Sequence, residues 1–196
     1  VGADVPQAGD VMNTTGTVEI LVLCLDKPLV SKNHLLRTHA YQGRWLAMRT
    51  VGAGGASLEW FRTNFCKEMS KEIFYEEYLK QVLSQSSLPD ARFHPFLAGD
   101  RHRIRRKSGA FTRLTLNTTR EDILLALVRG IISFQTESLS EWQASANLSN
   151  DIYHVGGGAS DAYTRYKQSM LKEYRFVQLG ETTLTGAAML ALDALK

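Results

Sequence analysis

The stretch Ile152-Tyr153-His154-Val155-Gly156-Gly157-Gly158-Ala159 decides how this chain is read. Ile152 to Val155 has the composition of a short strand, and Asp161 to Tyr174 has a helical pattern. The three glycines therefore sit at a strand-to-helix turn. Glycine there lets backbone approach a ligand with no Cβ in the way, and a helix start offers free N–H groups and partial positive charge. These are properties of a nucleotide site. They equally suit a tight turn with no ligand, and the turn alone leaves both readings open.

Downstream, Arg175 to Gln178 reads as a brief strand and Thr183 to Leu195 as an Ala/Leu-rich helix. Upstream, Ile123, Leu127, Ile131 and Phe134 mark one helix face, and Thr118-x-x-Glu121 predicts a capping box ahead of it. Phe111 to Leu116 reads as a short strand, and Ser84 to Arg92, with Pro89, as a loop. Ile73 to Leu83 is helical by the spacing of Phe74, Tyr78 and Val82, and so is the segment carrying Leu58, Phe61 and Phe65. Before these come Gly9 to Asn13, the nearly unbroken apolar run Val18 to Leu25, and Arg44 to Val51, which predict a three-stranded meander. Three strands followed by alternating helices and strands imply an α/β domain, a mixed sheet flanked by helices.

Composition bounds the function. The 196 residues are 44% hydrophobic and 22% charged, enough for one domain with a sizeable core. No apolar run suggests a membrane span, and the N-terminus has no signal-peptide layout. Cys24 and Cys66 lie in apolar surroundings and read as reduced core residues, so a cytoplasmic location is expected. Net charge is +3, yet five cations fall between Arg101 and Lys107 and leave the remainder slightly acidic. That distribution argues against a nucleic-acid binder, and no aromatic platform accompanies the cluster. It reads as a solvated basic loop. The five histidines show no metal-ligand spacing, so no metal site is assigned. Neither a G-x-x-x-x-G-K-[ST] loop nor a G-x-S-x-G elbow is present. The opening Val1-Gly2-Ala3 lacks an initiator methionine, and a fragment of a longer protein is expected.

Two further small-residue segments stand out. Thr14-Thr15-Gly16-Thr17 could present backbone N–H and hydroxyl groups to phosphate oxygens, or be a plain hairpin turn. Gly54-Gly55-Ala56-Ser57-Leu58-Glu59-Trp60 could line a flat ligand, or simply let a helix start pack closely on a sheet.

In order, these segments resemble the C-terminal domain of the FGGY carbohydrate kinases, over nearly the whole chain. Gly9-Asp10-Val11 with Thr15-Gly16-Thr17 resembles the family's phosphate hairpin. Gly55-Ala56-Ser57-Leu58-Glu59-Trp60 resembles its G-A-S-hydrophobic-x-W helix start, and Pro95-Phe96-Leu97-Ala98-Gly99-Asp100-Arg101 its P-Y-L-x-G-E-R segment. Gly109-Ala110-Phe111 through Asp122-Ile123 to Gly130 is similar to its second signature. Gly156-Gly157-Gly158-Ala159, followed by Glu181-Thr182-Thr183 and Gly186-Ala187-Ala188, is similar to its adenosine-binding close.

The resemblance implies an actin-like (ribonuclease-H-like) ATPase domain spanning residues 1–196, with the N-terminal sugar-binding domain absent. It implies ATP-dependent phosphorylation of a sugar hydroxyl, a pentulose such as xylulose being the first expectation, with Mg²⁺ held through the nucleotide phosphates. A non-catalytic nucleotide-binding module is the alternative. Gly16 and Thr17 are expected to face the phosphates, and Gly55 and Glu59 to line one side of the nucleotide. Gly157, Gly158 and Ala159 are expected on the other side, with Asp161 approaching the adenine. A side chain added at Gly158 is expected to enter the adenosine pocket. The family's catalytic aspartate is expected upstream of Val1, so the chain alone is expected to be inactive. A homodimer is left open. Two departures from the second signature are Arg113, where glycine is usual, and Arg129, where an acid is usual.

Overall fold

The structure is a computed structural model that describes residues 7–85, 88–100, 107–158, 160–180 and 182–193. Its centre is a hairpin of β1 (Val11–Thr15) and β2 (Glu19–Leu25), paired antiparallel. β4 (Trp45–Val51) adds antiparallel to β2, and β3 (Leu35–Thr38) antiparallel to β4. On the other side β7 (Asp151–Val155) pairs with β1 in parallel, and β8 (Arg175–Gln178) with β7 in parallel. The order β3-β4-β2-β1-β7-β8 is the expected mixed sheet with its meander. β2 lies between β4 and β1, which is why six of its seven residues are buried and its apolar run is nearly unbroken. β3 went unpredicted because it is an edge strand with no buried residue, so it carries no apolar pattern.

Helices cover the sheet. α1 (Gly54–Phe65) follows β4. α2 (Lys71–Ile73) continues through a π-helical turn (Phe74–Tyr78) into α3 (Leu79–Leu83). A small hairpin of β5 (Arg92–His94) and β6 (Ala110–Thr112) rests on the long helix α4 (Arg120–Gln143). Gly130 permits that contact, since a Cβ there would stand 2.3 Å from the Phe93 carbonyl oxygen. α5 (Asp161–Met170) links β7 to β8, and α6 (Thr183–Asp193) ends the described chain.

The core forms where α4 meets α1, α3 and the sheet. Phe61, Phe74, Val82, Leu124, Leu127, Ile131 and Trp142 are fully buried there. Each contributes roughly 1.5–3 kcal/mol through burial. By length and composition α4 is apolar enough to cross a membrane, contrary to the sequence reading. Eleven of its residues are buried within this core, which accounts for that apolarity.

Several boundaries shift for local reasons. The N-cap of α4 is Thr119 rather than Thr118. Thr119 Oγ1 accepts from Asp122 N at 3.1 Å, and Asp122 Oδ2 accepts from Thr119 N at 2.9 Å. Thr118 instead accepts from Thr115 N, and Glu121 accepts from the Tyr78 hydroxyl at 2.8 Å. The predicted strand Phe111–Leu116 stops at Thr112 because Arg113 turns to φ +59°. α5 stops at Met170 rather than Tyr174, as Leu171 leaves helical geometry.

Candidate functional site

Three backbone turns meet at the sheet end where β1 finishes. The β1–β2 turn carries Gly16 and Thr17. Gly55 N donates to the Gly16 oxygen at 2.9 Å, and Ala56 N to the Thr17 oxygen at 3.1 Å. The start of α1 is therefore docked on the hairpin, and those two N–H groups are used in doing so. A Cβ on Gly55 would stand 2.5 Å from the Gly16 oxygen, so close packing is one reason for that glycine. The β7–α5 turn arrives from the other side, where Gly158 N donates to the Thr15 oxygen at 3.0 Å. Gly156 has φ +104°, and its Cβ would meet the Thr15 oxygen at 2.4 Å.

These turns open onto a cleft of about 880 Å³, within the usual size of ligand sites. Its lining brings together Gly16, Thr17, Gly55, Glu59, Gly157 and Gly158. Ala159 lies outside the described residues. Asp161, at the first turn of α5, is not among the lining residues. A Cβ on Gly158 would meet Thr15 Cγ2 at 2.9 Å, whereas one on Gly157 meets nothing within 4 Å. Both glycines line the cleft, but a side chain at Gly158 would crowd Thr15 and one at Gly157 would meet no neighbouring atom.

Glu59 is fixed on its wall. Arg62 donates to it from Nη2 at 2.6 Å and from Nε at 3.1 Å, and the Tyr75 hydroxyl donates at 3.1 Å. The Arg62 bonds hold its carboxyl below the usual carboxylate range. Lys71, Glu72 and Glu76 from the next helix also line the cleft. Sequence reasoning missed Lys71, because one lysine at a helix start carries no signal among 23 basic residues. Among the described residues, no group of three or more His, Cys, Asp or Glu could hold a metal ion.

Sequence reasoning also missed the polar network beneath the turns. Lys167 of α5 has no exposed surface. Its Nζ donates to Asn13 Oδ1 at 2.6 Å, to Thr15 Oγ1 at 3.0 Å and to Glu19 Oε1. Glu19 also accepts from Gln135 Nε2 at 2.5 Å and from the Tyr163 hydroxyl at 3.1 Å. His154 Nε2 lies 2.7 Å from Thr15 Oγ1, and its Nδ1 lies 3.0 Å from Thr164 Oγ1. Burial alone would raise the Glu19 carboxyl, but Lys167 and Gln135 more than offset it, so Glu19 is held below its ordinary value. Burial pushes His154 down to about 3, helped by the Lys167 charge and opposed by Glu19. His154 is therefore a neutral imidazole at physiological pH.

Elsewhere, Cys24 and Cys66 are buried free thiols, raised by burial. Arg101, Arg103, Arg105 and Arg106 of the basic loop lie outside the described residues. Lys107 pairs with Asp100 at 3.2 Å and sits over the Phe96 ring. Arg113 occupies the left-handed backbone region, which glycine enters at less cost than an L-residue. Arg129 donates to the Tyr166 hydroxyl at 3.3 Å, joining α4 to α5.

A mixed sheet with flanking helices, with small-residue turns gathered at one sheet end, is a fold this chain shares with solved sugar-kinase structures. No protein-family profile matches the chain. The glycerol kinase of Lactococcus lactis is 29% identical over 193 residues, covering 94% of this chain and 38% of that protein. The xylulose kinase of Staphylococcus epidermidis is 29% identical over 168 residues, covering 82% of this chain and 32% of that protein. Among solved structures, ligand-bound xylulose kinase from Lactobacillus acidophilus superposes with TM-score 0.83 at 20% identity, over 99% of this chain and 40% of that one. Plasmodium falciparum glycerol kinase with ADP gives TM-score 0.75 at 16% identity, over 94% of this chain and 38% of that one. Over most of its length the chain is similar to glycerol kinases and xylulose kinases. It spans well under half the length of the curated relatives it matches.

Proposed function

We propose that this chain is the nucleotide-binding part of an ATP-dependent sugar kinase, with a pentulose such as xylulose as the first substrate to test. The observation that carries the reading is the meeting of the Gly16-Thr17, Gly55 and Gly157-Gly158 turns around one cleft. In the reaction, a sugar hydroxyl oxygen attacks the γ-phosphorus of ATP. The bond from that phosphorus to the β–γ bridging oxygen breaks, ADP leaves, and the hydroxyl proton passes to a base. Such transfer depends mainly on positioning and charge stabilisation.

The chain's own residues supply the positioning. Thr17 and the backbone at Gly16, which line the cleft, would face the phosphates, and Mg²⁺ arriving with the nucleotide would neutralise phosphate charge. Gly157 and Gly158 form one wall for the adenosine, with Ala159 and Asp161 assigned there by resemblance. Gly55 and Glu59 form the other wall. Glu59, kept ionised by Arg62, accepts hydrogen bonds from the nucleoside rather than meeting phosphate. The general base is an aspartate in the family this chain resembles, and among the described residues no aspartate lines the cleft. The sugar lies toward a second domain, and the setting is cytoplasmic.

The test is calorimetric titration of the chain with ADP and ATP, beside Gly157→Val. The wild type binds. The variant loses about tenfold or more in affinity with its melting temperature unchanged, because Gly157 lines the cleft and a side chain there meets no neighbouring atom of the chain. Equal affinity in the two proteins would refute the assignment. ADP released in a sugar-dependent manner by this chain alone would show that the base is present here after all.

A further inference from the structure

We propose that the buried Lys167–Glu19 pair positions the phosphate turn, holding Gly16-Thr17 in register with the Gly156–Gly158 turn. The proposal rests on the nucleotide reading of the cleft.

Lys167 Nζ has three N–H groups, and three acceptors meet them: Asn13 Oδ1, Thr15 Oγ1 and Glu19 Oε1. Asn13 and Thr15 belong to β1 and Glu19 to β2, so one ammonium ties both arms of the hairpin. Thr15 immediately precedes Gly16, and Glu19 stands two residues after Thr17. The opposite turn is tied to the same point. Thr15 Oγ1 contacts His154 Nε2 at 2.7 Å, and the Thr15 oxygen accepts from Gly158 N. Thr15 Oγ1 accepts from Lys167 and also donates to Glu19 Oε1 at 3.1 Å, so the hydroxyl sits among Lys167, Glu19 and His154. On its other side His154 Nδ1 lies 3.0 Å from Thr164 Oγ1 of α5. Four elements (β1, β2, β7 and α5) are thus pinned at Thr15.

Stability alone does not require this chemistry. A buried ion pair is generally matched or exceeded in stability by apolar residues of similar volume, because desolvation offsets the attraction. What apolar residues do not supply is direction. Three N–H vectors fix Asn13, Thr15 and Glu19 relative to one another, whereas an apolar pair fills the same space and leaves only His154 to hold the Thr15 hydroxyl. The network places this order directly behind the two turns proposed to grip the nucleotide. Preorganisation of that kind is read out as affinity.

The experiment uses the 196-residue chain, with ATP, ADP and adenosine titrated separately. The first variant is the volume-matched pair Glu19→Leu with Lys167→Met. Because it leaves Asn13, Gln135 and Tyr163 without their buried partners, we expect it to melt several degrees below wild type, and its affinity is read at a temperature where it is folded. Its affinity for ATP and ADP should fall about tenfold, while adenosine, held by the outer walls, changes by less than about twofold. A second pair covers the case in which the double variant fails to fold. Thr15→Val removes the hydroxyl held by Lys167 and His154 and should show the same phosphate-selective loss, whereas Thr15→Ser should retain affinity. Unchanged ATP affinity in a folded double variant, or in Thr15→Val, would overturn the proposal and make the pair purely structural. Equal loss for ATP and adenosine would also overturn it, since the whole cleft would then have shifted. If the wild type binds none of the three ligands, the nucleotide reading itself falls and takes this proposal with it.

Discussion

Lowering the pH from 7.5 to 5 should remove about 2 kcal/mol of stability through His154 alone. His154 is fully buried, and its imidazole is pushed down to about 3, chiefly by burial and then by the Lys167 charge. In the unfolded chain a histidine titrates near its ordinary value of about 6.5. This contribution is complete above about pH 6.5 and is lost as pH falls toward 3, because only the unfolded chain can take up the proton. At pH 5 an unfolded histidine is about thirtyfold more protonated than neutral, which corresponds to about 2 kcal/mol. The figure is insensitive to the folded value as long as that stays near 4 or below. Depressed carboxyls such as Glu19 begin to add their own losses near pH 5, and comparison with a variant lacking only the histidine cancels them. The comparison is His154→Gln, whose amide can donate to Thr164 and accept from Thr15 without titrating. Urea unfolding of both proteins at pH 7.5 and pH 5 gives four stabilities. The wild type should lose about 2 kcal/mol more than the variant over that interval. Equal losses would refute the reasoning, since they would mean that His154 takes up its proton in the folded chain as readily as in the unfolded one.

Two further predictions concern the backbone. Arg113→Gly should leave the fold intact and raise stability by up to about 1 kcal/mol, because φ +59° costs an L-residue energy that glycine avoids. A lower melting temperature in that variant would show that the arginine side chain contributes more than the backbone conformation costs. Thr119→Ala should lose about 1 kcal/mol by removing the cap of α4, and Thr118→Ala clearly less, as measured by chemical denaturation.

The order of elements was largely legible because it rests on local preferences. Alternating and continuous apolar runs mark β1, β2, β4 and β7, and the spacing of Phe74, Tyr78 and Val82 marks the helix above the cleft. β3 was illegible because an exposed edge strand has no face to bury. The capping box was misplaced by one residue because Thr118 and Thr119 are equally good caps by type. The choice depends on Thr115 and Asp122 competing for them. Gly157 and Gly158 were indistinguishable in sequence, and they differ only in that Thr15 stands behind one of them.

What the sequence by itself determined was the set of small-residue turns and the elements that carry them, since glycine, strand and helix preferences act within a few residues. The tertiary structure alone decided what lies behind those turns. Glu19 read as a lone break in an apolar strand and Lys167 as an ordinary helix lysine. Parallel pairing of β7 with β1 and the return of α5 bring them together across 148 positions of sequence. The reason is physical. A charge can stay buried only where enough partners converge on it, and that convergence is a property of the packed sheet and helix rather than of either segment.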